Sequence, residues 1–294
     1  MGEGVLVKTL FSGISRGTER LVFEGRVPQS ESSRMRALFQ EGDFSFPVKF
    51  GYCSVGQIQE GELAGRQVFT LYPHQNIYRI PTAMLNFLPE GLDPERAVLA
   101  ANMETALNIV WDSGVSAGDR VSVIGTGVVG ALVGYLIARI PGTEITLVDI
   151  NPSRASLAQT LGCKFALPKD APVDNDVVIH TSSASSGIEL ALEIAGQEAT
   201  IVEASWFGDR PVSLVLGGAF HSRRLRLISS QVGNLPAAKT PRWNHQRRMA
   251  MALDLLKDPK LDELVSGESA FEDLAENYSK ILTSTDTLCH RIRY

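Results

Sequence analysis

Gly125, Gly127 and Gly130, in the segment GTGVVG, follow the apolar run VSVI and open a second apolar run, VVGALVGYLIA. A strand that ends in such a turn and restarts as a helix aims backbone N–H groups at one point, and phosphate binds at points of that kind. Gly125 suits the tight turn, Gly127 lets the backbone of Thr126, Val128 and Val129 approach a pyrophosphate, and Gly130 lets the helix pack close to the strand. Asp149 ends the next β-rich run, ITLVD, nineteen residues after Gly130. A carboxylate there accepts hydrogen bonds from both hydroxyls of an adenosine ribose. Against a 2′-phosphate about 4 Å away the same charge costs several kcal/mol even at an effective dielectric near 20. The pattern therefore favours NAD over NADP, a preference that Arg154 nearby would soften. Thr181 and Ser182, just past the run DVVIH, are expected beside the nicotinamide-side ribose, because ligands of such sheets sit at strand carboxyl ends. The alternative is a glycine turn in an α/β protein that binds no nucleotide; the strand, helix and carboxylate all falling in place argue against it.

These groups need a scaffold, and 294 residues predict about two domains. Residues 1–100 alternate apolar and polar over short runs (VLVKTL, PVKFGYCSVGQI, RQVFTLY, QNIYRI), the pattern of a mostly antiparallel β unit. Residues 101–232 alternate continuous Val- and Ile-rich runs with helical segments, which predicts an α/β domain with a doubly wound parallel sheet. Residues 233–294 return to mixed character: RRMAMALDLLKD and ESAFEDLAENYSKILTS read as helices and LCHRIRY as a final strand. The uncharged run between Arg120 and Arg139 imitates a membrane span but reads better as strand, turn and helix. A net charge of −5 argues against a nucleic-acid or membrane-surface protein. Cys53, Cys163 and Cys289 are odd in number and far apart, so neither a disulfide framework nor a zinc clip is encoded. With no signal-peptide pattern at the amino terminus, a cytoplasmic protein is expected.

A β-rich first part, a Rossmann domain placed second and a short return segment resemble the medium-chain dehydrogenase/reductase family, the zinc alcohol dehydrogenase relatives. The resemblance rests on SGISRGTE, FGYCSVGQI, AANMETALNIV, GTGVVG with Asp149, and the tail LDELVSGESAFEDLAENYSKIL, in that order. It implies a GroES-like catalytic domain built from both ends of the chain and an active site in a cleft. It also implies an amino-terminally shortened small domain, because GEGVLVKTLFSGIS starts where members have already made a first hairpin; an unpaired sheet edge is the expected result. At the positions of the family's catalytic zinc ligands this chain has Ser15 (or Arg16), Tyr52 and about Ala101, and the cysteine lobe for structural zinc is missing. Tetrahedral zinc needs Cys, His or carboxylate at converging positions, so the resemblance implies a zinc-independent member with no metal site. A site rebuilt from Cys53, His74 and Glu104 is the competing arrangement, set against the packing and surface roles such lone residues usually serve.

The resemblance further implies hydride transfer between NAD(H) and an alcohol/carbonyl or enone-type small molecule. Without zinc, hydrogen-bond donors must stabilise the oxygen that gains charge. Tyr52 is the first candidate, with Ser15 and Thr18 in support and Glu104 as a cleft carboxylate; Arg16 is the candidate for reaching the pyrophosphate. His74, in a Pro-His-Gln loop, is expected to be exposed. Two basic clusters, His221–Leu227 and Pro241–Arg248, read as solvated faces, with Arg242, Arg247 or Arg248 able to meet an anionic substrate. In the first cluster Arg224 and Arg226 should share one strand face and Leu225 and Leu227 the other. The resemblance places the strand RRLRLISSQV at the sheet edge through which family members commonly pair, and so implies a homodimer. The competing function is a dinucleotide-binding protein without turnover, such as a redox sensor.

Overall fold

The computed structural model describes residues 4–294. It divides into two compact units, one formed by the first 101 residues with Gln246–Tyr294 and the other by Asn102–His245.

In the first unit β1 (Val5–Ser15) leads into α1 (Arg16–Phe23), a small hairpin of β2 (Glu41–Gly42) and β3 (Val48–Lys49), then β4 (Ser54–Ile58), β5 (Gln67–Thr70), β6 (Ile77–Ile80) and β7 (Asn86–Phe87). The returning segment adds α6 (His245–Leu255), β14 (Val265–Ala270), α7 (Leu274–Thr283) and β15 (Cys289–Arg293). The main sheet runs β14-β15-β1-β4-β5-β7, with β6 also paired to β1. β1 is therefore interior: Ser12 faces Ser54 of β4 on one side and Ile292 of β15 on the other, and Val7 pairs with Tyr78 of β6. The edges fall on β14, β7 and the outer side of β6, not on the first strand.

Val7, Ile58, Val68, Tyr78 and Ile80 of these strands build a core with Tyr72 and Leu85 from the connections, while Ile14 and Ile292 pack on Ile281 and Leu282 of α7. Each such aliphatic side chain contributes about 1.5–3 kcal/mol when fully buried. Arg96 ties the return segment in place: its guanidinium grips Asp262 through two bonds of 2.6 and 2.8 Å and donates to the carbonyls of Leu256 and Lys257. The tail segment ESAFEDLAENYSKILTS is only partly helical. Its first residues belong to β14, which pairs in parallel with β15, so sheet pairing overrides the helical spacing there.

In the second unit α2 (Ala100–Ser113) precedes β8 (Arg120–Ile124), α3 (Val128–Ile137), β9 (Glu144–Val148), α4 (Arg154–Leu161), β10 (Lys164–Ala166), β11 (Asn175–His180), α5 (Ser185–Ile194), β12 (Ala195–Glu203) and β13 (Arg226–Ser229). The sheet is parallel throughout, in the order β10-β9-β8-β11-β12-β13. The winding direction reverses between β8 and β11, which defines the crevice where sheets of this kind take ligands. The membrane-like run resolves into β8, a turn and α3, and among the described residues no helix is long and apolar enough to cross a membrane.

One boundary and one strand pattern differ from expectation. The second unit ends after His245 rather than Val232 because Trp243 packs on Trp111 of α2, centroids 4.7 Å apart, with the Lys239 ammonium 5.2 Å from the Trp111 ring. The face-sharing expected in RRLRL also fails. Arg224 has a left-handed φ of 53° and pairs with Glu198 at 2.6 Å, so the strand starts only at Arg226; Leu225 is buried while Leu227 is exposed.

Candidate functional site

The glycine turn is closed by sterics. Gly125 has φ of +101°, and a Cβ there would lie 2.7 Å from Ser182 N. A Cβ on Gly130 would lie 1.9 Å from the Gly125 carbonyl oxygen and 2.6 Å from Thr181 Oγ1. At Gly127, by contrast, a Cβ would meet nothing within 4 Å, so the N-terminus of α3 opens onto free space. No side chain caps that terminus, and the first N–H groups of a helix have no partner within it. Val128 and Val129 are its first two residues, both half-buried.

Asp149 is laced to this turn: Thr126 N donates to its Oδ2 at 2.6 Å and Asn151 N to its Oδ1 at 2.8 Å. Each carboxylate oxygen keeps a lone pair for a further donor. Thr126 Oγ1 is buried and, among the described residues, is the one buried side-chain polar atom without a partner. An open helix N-terminus, an orphaned hydroxyl and a carboxylate with acceptor capacity fit a dinucleotide. Thr181 spends its hydroxyl on the turn, donating its one proton to Gly125 O at 2.7 Å with Ile124 O also in reach at 3.1 Å. Ser182 is exposed beside it, and Arg154 is the first residue of α4, half-buried.

The second cluster lies within the first unit. Ser15 ends β1, Thr18 and Glu19 sit on α1, and Tyr52 precedes β4. Hydrogen bonds from the side chains of Ser15 and Thr18 bring all three expected groups together at the Tyr52 phenol. Burial pushes the Tyr52 pKa well above its ordinary value, and the Glu19 carboxylate pushes the same way, so the phenol stays protonated.

At the centre is a residue that sequence reading missed, Glu19, whose side chain is 0% exposed. It accepts from Ser15 N at 2.7 Å, from the Tyr278 hydroxyl at 2.6 Å and from His74 Nε2 at 3.0 Å. His74 was expected in solvent; its side chain is 8% exposed because both ring nitrogens are engaged. A carboxylate only accepts, so Nε2–H donates to Glu19, and in the neutral ring Nδ1 accepts from Ser12 Oγ at 2.8 Å. Ser12 Oγ in turn lies 3.0 Å from the Tyr294 hydroxyl. The one local hint was Glu19 standing four residues after Ser15, where it reaches back to the Ser15 N–H.

Other candidates lie elsewhere. Arg16 donates to the Ser284 carbonyl at 3.1 Å. Glu104 is buried on α2. Of the basic residues, Arg248 is only 2% exposed, so it is no solvated surface charge, whereas Arg242 and Arg247 are exposed. Arg223 is drawn inward onto the carbonyls of Glu193 and Ala195.

Around Tyr52, Glu19 already accepts from three donors, the phenol stays protonated, and burial raises the Cys53 thiol well above its ordinary pKa. Among the described residues no three His, Cys, Asp or Glu side chains are placed to share a metal ion. Burial likewise pushes Cys163 and Cys289 up to about 12. Thiolates are the reactive form. A disulfide thiol reagent at pH 8 is therefore expected to leave all three cysteines unmodified in the native protein and to titrate three after unfolding; rapid modification of any one in the folded state contradicts this.

No family model matches the chain. It is 30% identical over 139 residues to 2-dehydro-3-deoxy-L-galactonate 5-dehydrogenase of Pseudoalteromonas atlantica, covering 44% of this chain and 40% of that one. It is 25% identical over 208 residues to D-guloside 3-dehydrogenase of Escherichia coli, covering 66% and 59%. The chain thus spans about half the length of these relatives. The crystal structure of galactitol-1-phosphate dehydrogenase from Escherichia coli superimposes with a TM-score of 0.79 at 17% identity, covering 100% of this chain and 93% of that one. The fold is accordingly the α/β fold of the medium-chain dehydrogenases, a Rossmann domain joined to a GroES-like β domain.

Proposed function

We propose that the chain is an NAD(H)-dependent oxidoreductase that moves hydride between nicotinamide and an alcohol/carbonyl or enone-type small molecule, without catalytic zinc. The observation that carries this reading is the Asp149 carboxylate bonded to the Thr126 N–H of a glycine turn whose helix N-terminus is open. Bound there, the cofactor supplies or accepts the hydride. Asp149 favours NAD over NADP for the electrostatic reason given above. The relatives are named as dehydrogenases of a sugar acid and a glycoside, which supports chemistry at a hydroxyl-bearing carbon.

The rest falls to the chain's own side chains. Reduction leaves negative charge on the substrate oxygen, and a positioned donor lowers that barrier. Tyr52 holds the required proton at its Oη, with Ser15 and Thr18 fixing the hydroxyl's direction. Its raised pKa keeps the proton in place until a more basic alkoxide or enolate forms. The reading keeps Arg16 as a pyrophosphate contact, Glu104 as a cleft carboxylate, and Arg242 and Arg247 as contacts for an anionic substrate. It also takes the exposed edge strand β13 as the seam of a homodimer in the cytoplasm.

The test follows NADH oxidation against a panel of aldehydes, ketones, quinones and enones. Turnover is expected with at least one class, and Tyr52→Phe should lower kcat about 100-fold or more while cofactor affinity stays within about twofold. Unchanged turnover removes Tyr52 from the reaction, a stoichiometric zinc in the purified protein removes the zinc-free assignment, and binding without turnover across the panel leaves the binding-only alternative.

A further inference from the structure

His180 ends β11 and Glu203 ends β12, and the two are direct partners in the parallel register. Both therefore stand at the carboxyl edge of the sheet. The His180 side chain is 0% exposed, with Nδ1 2.7 Å from Glu203 Oε2 and Nε2 2.6 Å from Ser182 Oγ. Glu203 is itself fixed by the Ser205 N–H at 2.7 Å on Oε1. A Cβ on Gly187 would lie 2.5 Å from both His180 Nε2 and Ser182 Oγ, so α5 packs directly over that hydrogen bond. A buried imidazole thus joins a carboxylate to the hydroxyl of Ser182, an exposed residue beside the glycine turn.

The direction of these bonds follows from the inventory of donors. Glu203 only accepts, so Nδ1 carries the hydrogen; in the neutral ring Nε2 is then an acceptor and takes the Ser182 O–H. Ser182 has no proton left to offer outward. Its oxygen lone pairs remain, one of them engaged at 3.3 Å by Ala184 N–H. A group that can only accept selects a ligand that donates. Phosphate oxygens fail that requirement, and a sugar hydroxyl meets it.

We infer that Ser182, held as an obligate acceptor by His180 and Glu203, takes a hydrogen bond from a hydroxyl of the dinucleotide's second ribose, the one distal to adenine. This rests on the dinucleotide reading above and adds two positioning residues, His180 and Glu203, to it. The ribose is placed by the turn: a Cβ on Gly125 would lie 2.7 Å from Ser182 N, so the hydroxyl adjoins the segment that faces the pyrophosphate.

Calorimetric titration of the full chain with ADP-ribose and with AMP tests this, since only ADP-ribose carries the second ribose. Ser182→Ala is expected to weaken ADP-ribose about tenfold, the worth of one such hydrogen bond, and to leave AMP within about twofold. His180→Phe should weaken ADP-ribose similarly, and the double variant should be no weaker than Ser182→Ala alone, because the imidazole acts only through the hydroxyl. Ser182 is exposed, so its alanine variant keeps the test open even if His180→Phe fails to fold. Equal loss of AMP and ADP-ribose, no loss of either, or additive losses in the double variant each overturn the inference while the dinucleotide reading stands. A wild-type chain that binds neither ligand overturns both.

Discussion

Replacing Gly130 with alanine is expected to lower the melting temperature by about 2–12 °C and to weaken NADH binding more than 100-fold. The added Cβ would sit 1.9 Å from the Gly125 carbonyl oxygen, well inside contact distance, and 2.6 Å from Thr181 Oγ1. The obstacle is backbone, so no rotamer change relieves it. Relief requires α3 to move off β8, through a core in which Ala131, Leu132 and Val133 are 0% exposed. Overpacking of this kind costs about 1–3 kcal/mol, and about 2–4 °C follows per kcal/mol in a chain of this size. The same shift displaces the α3 N-terminus by about an ångström, enough to misplace every N–H aimed at a phosphate. Gly127→Ala is the control. A Cβ there meets nothing within 4 Å and φ is an ordinary −74°, so melting should change by less than about 1 °C. Calorimetric melting and NADH titration of both variants decide the matter; equal melting temperatures would sink the steric argument.

That contrast marks where sequence reading succeeds. The strand, glycine turn and helix were legible because each is fixed by local geometry: a Val-rich run, a left-handed glycine and an apolar helix that directly follow one another. Asp149 was legible for the same reason, being placed by the end of the next strand. Pairing across long separations was not. Nothing local in SGESA distinguishes β14 from the helix that follows, because its partner β15 begins only at Cys289. The end of the second unit was set by Trp243 packing against Trp111, a contact between side chains far apart in the chain. The Tyr52 site was half legible. Tyr52, Ser15 and Thr18 came from resemblance and do meet, but the carboxylate behind them gathers residues 12, 15, 74, 278 and 294 by the folding of one sheet. His74 was misjudged for that reason: a Pro-His-Gln loop is exposed by default, and only the buried Glu19 draws it in.

Removing that carboxylate is the second large effect to expect. Glu19→Ala leaves three part-buried donors without an acceptor at once: the Tyr278 hydroxyl, the His74 Nε2–H and the Ser15 N–H. Each stranded donor costs about 1–3 kcal/mol, and breaking a buried polar cluster by deleting one partner typically costs about 3–5 kcal/mol. A fall in melting temperature on the order of 10 °C follows. Glu19→Gln separates charge from shape. It keeps one acceptor oxygen and should lose less stability, yet it removes the negative charge that helps raise the Tyr52, Tyr278 and Tyr294 phenols. Raised folded-state pKa values mean that these tyrosines favour the native state below their unfolded pKa of about 10 and lose that contribution as pH climbs beyond it. With the charge gone, phenol ionisation followed by near-ultraviolet absorbance should move to lower pH in Glu19→Gln. Because burial remains the largest cause of each shift, the midpoints should stay above the ordinary tyrosine value. If the variant titrates as the wild type does, Glu19 is not acting on these phenols through its charge, and its place behind Tyr52 is one of packing alone.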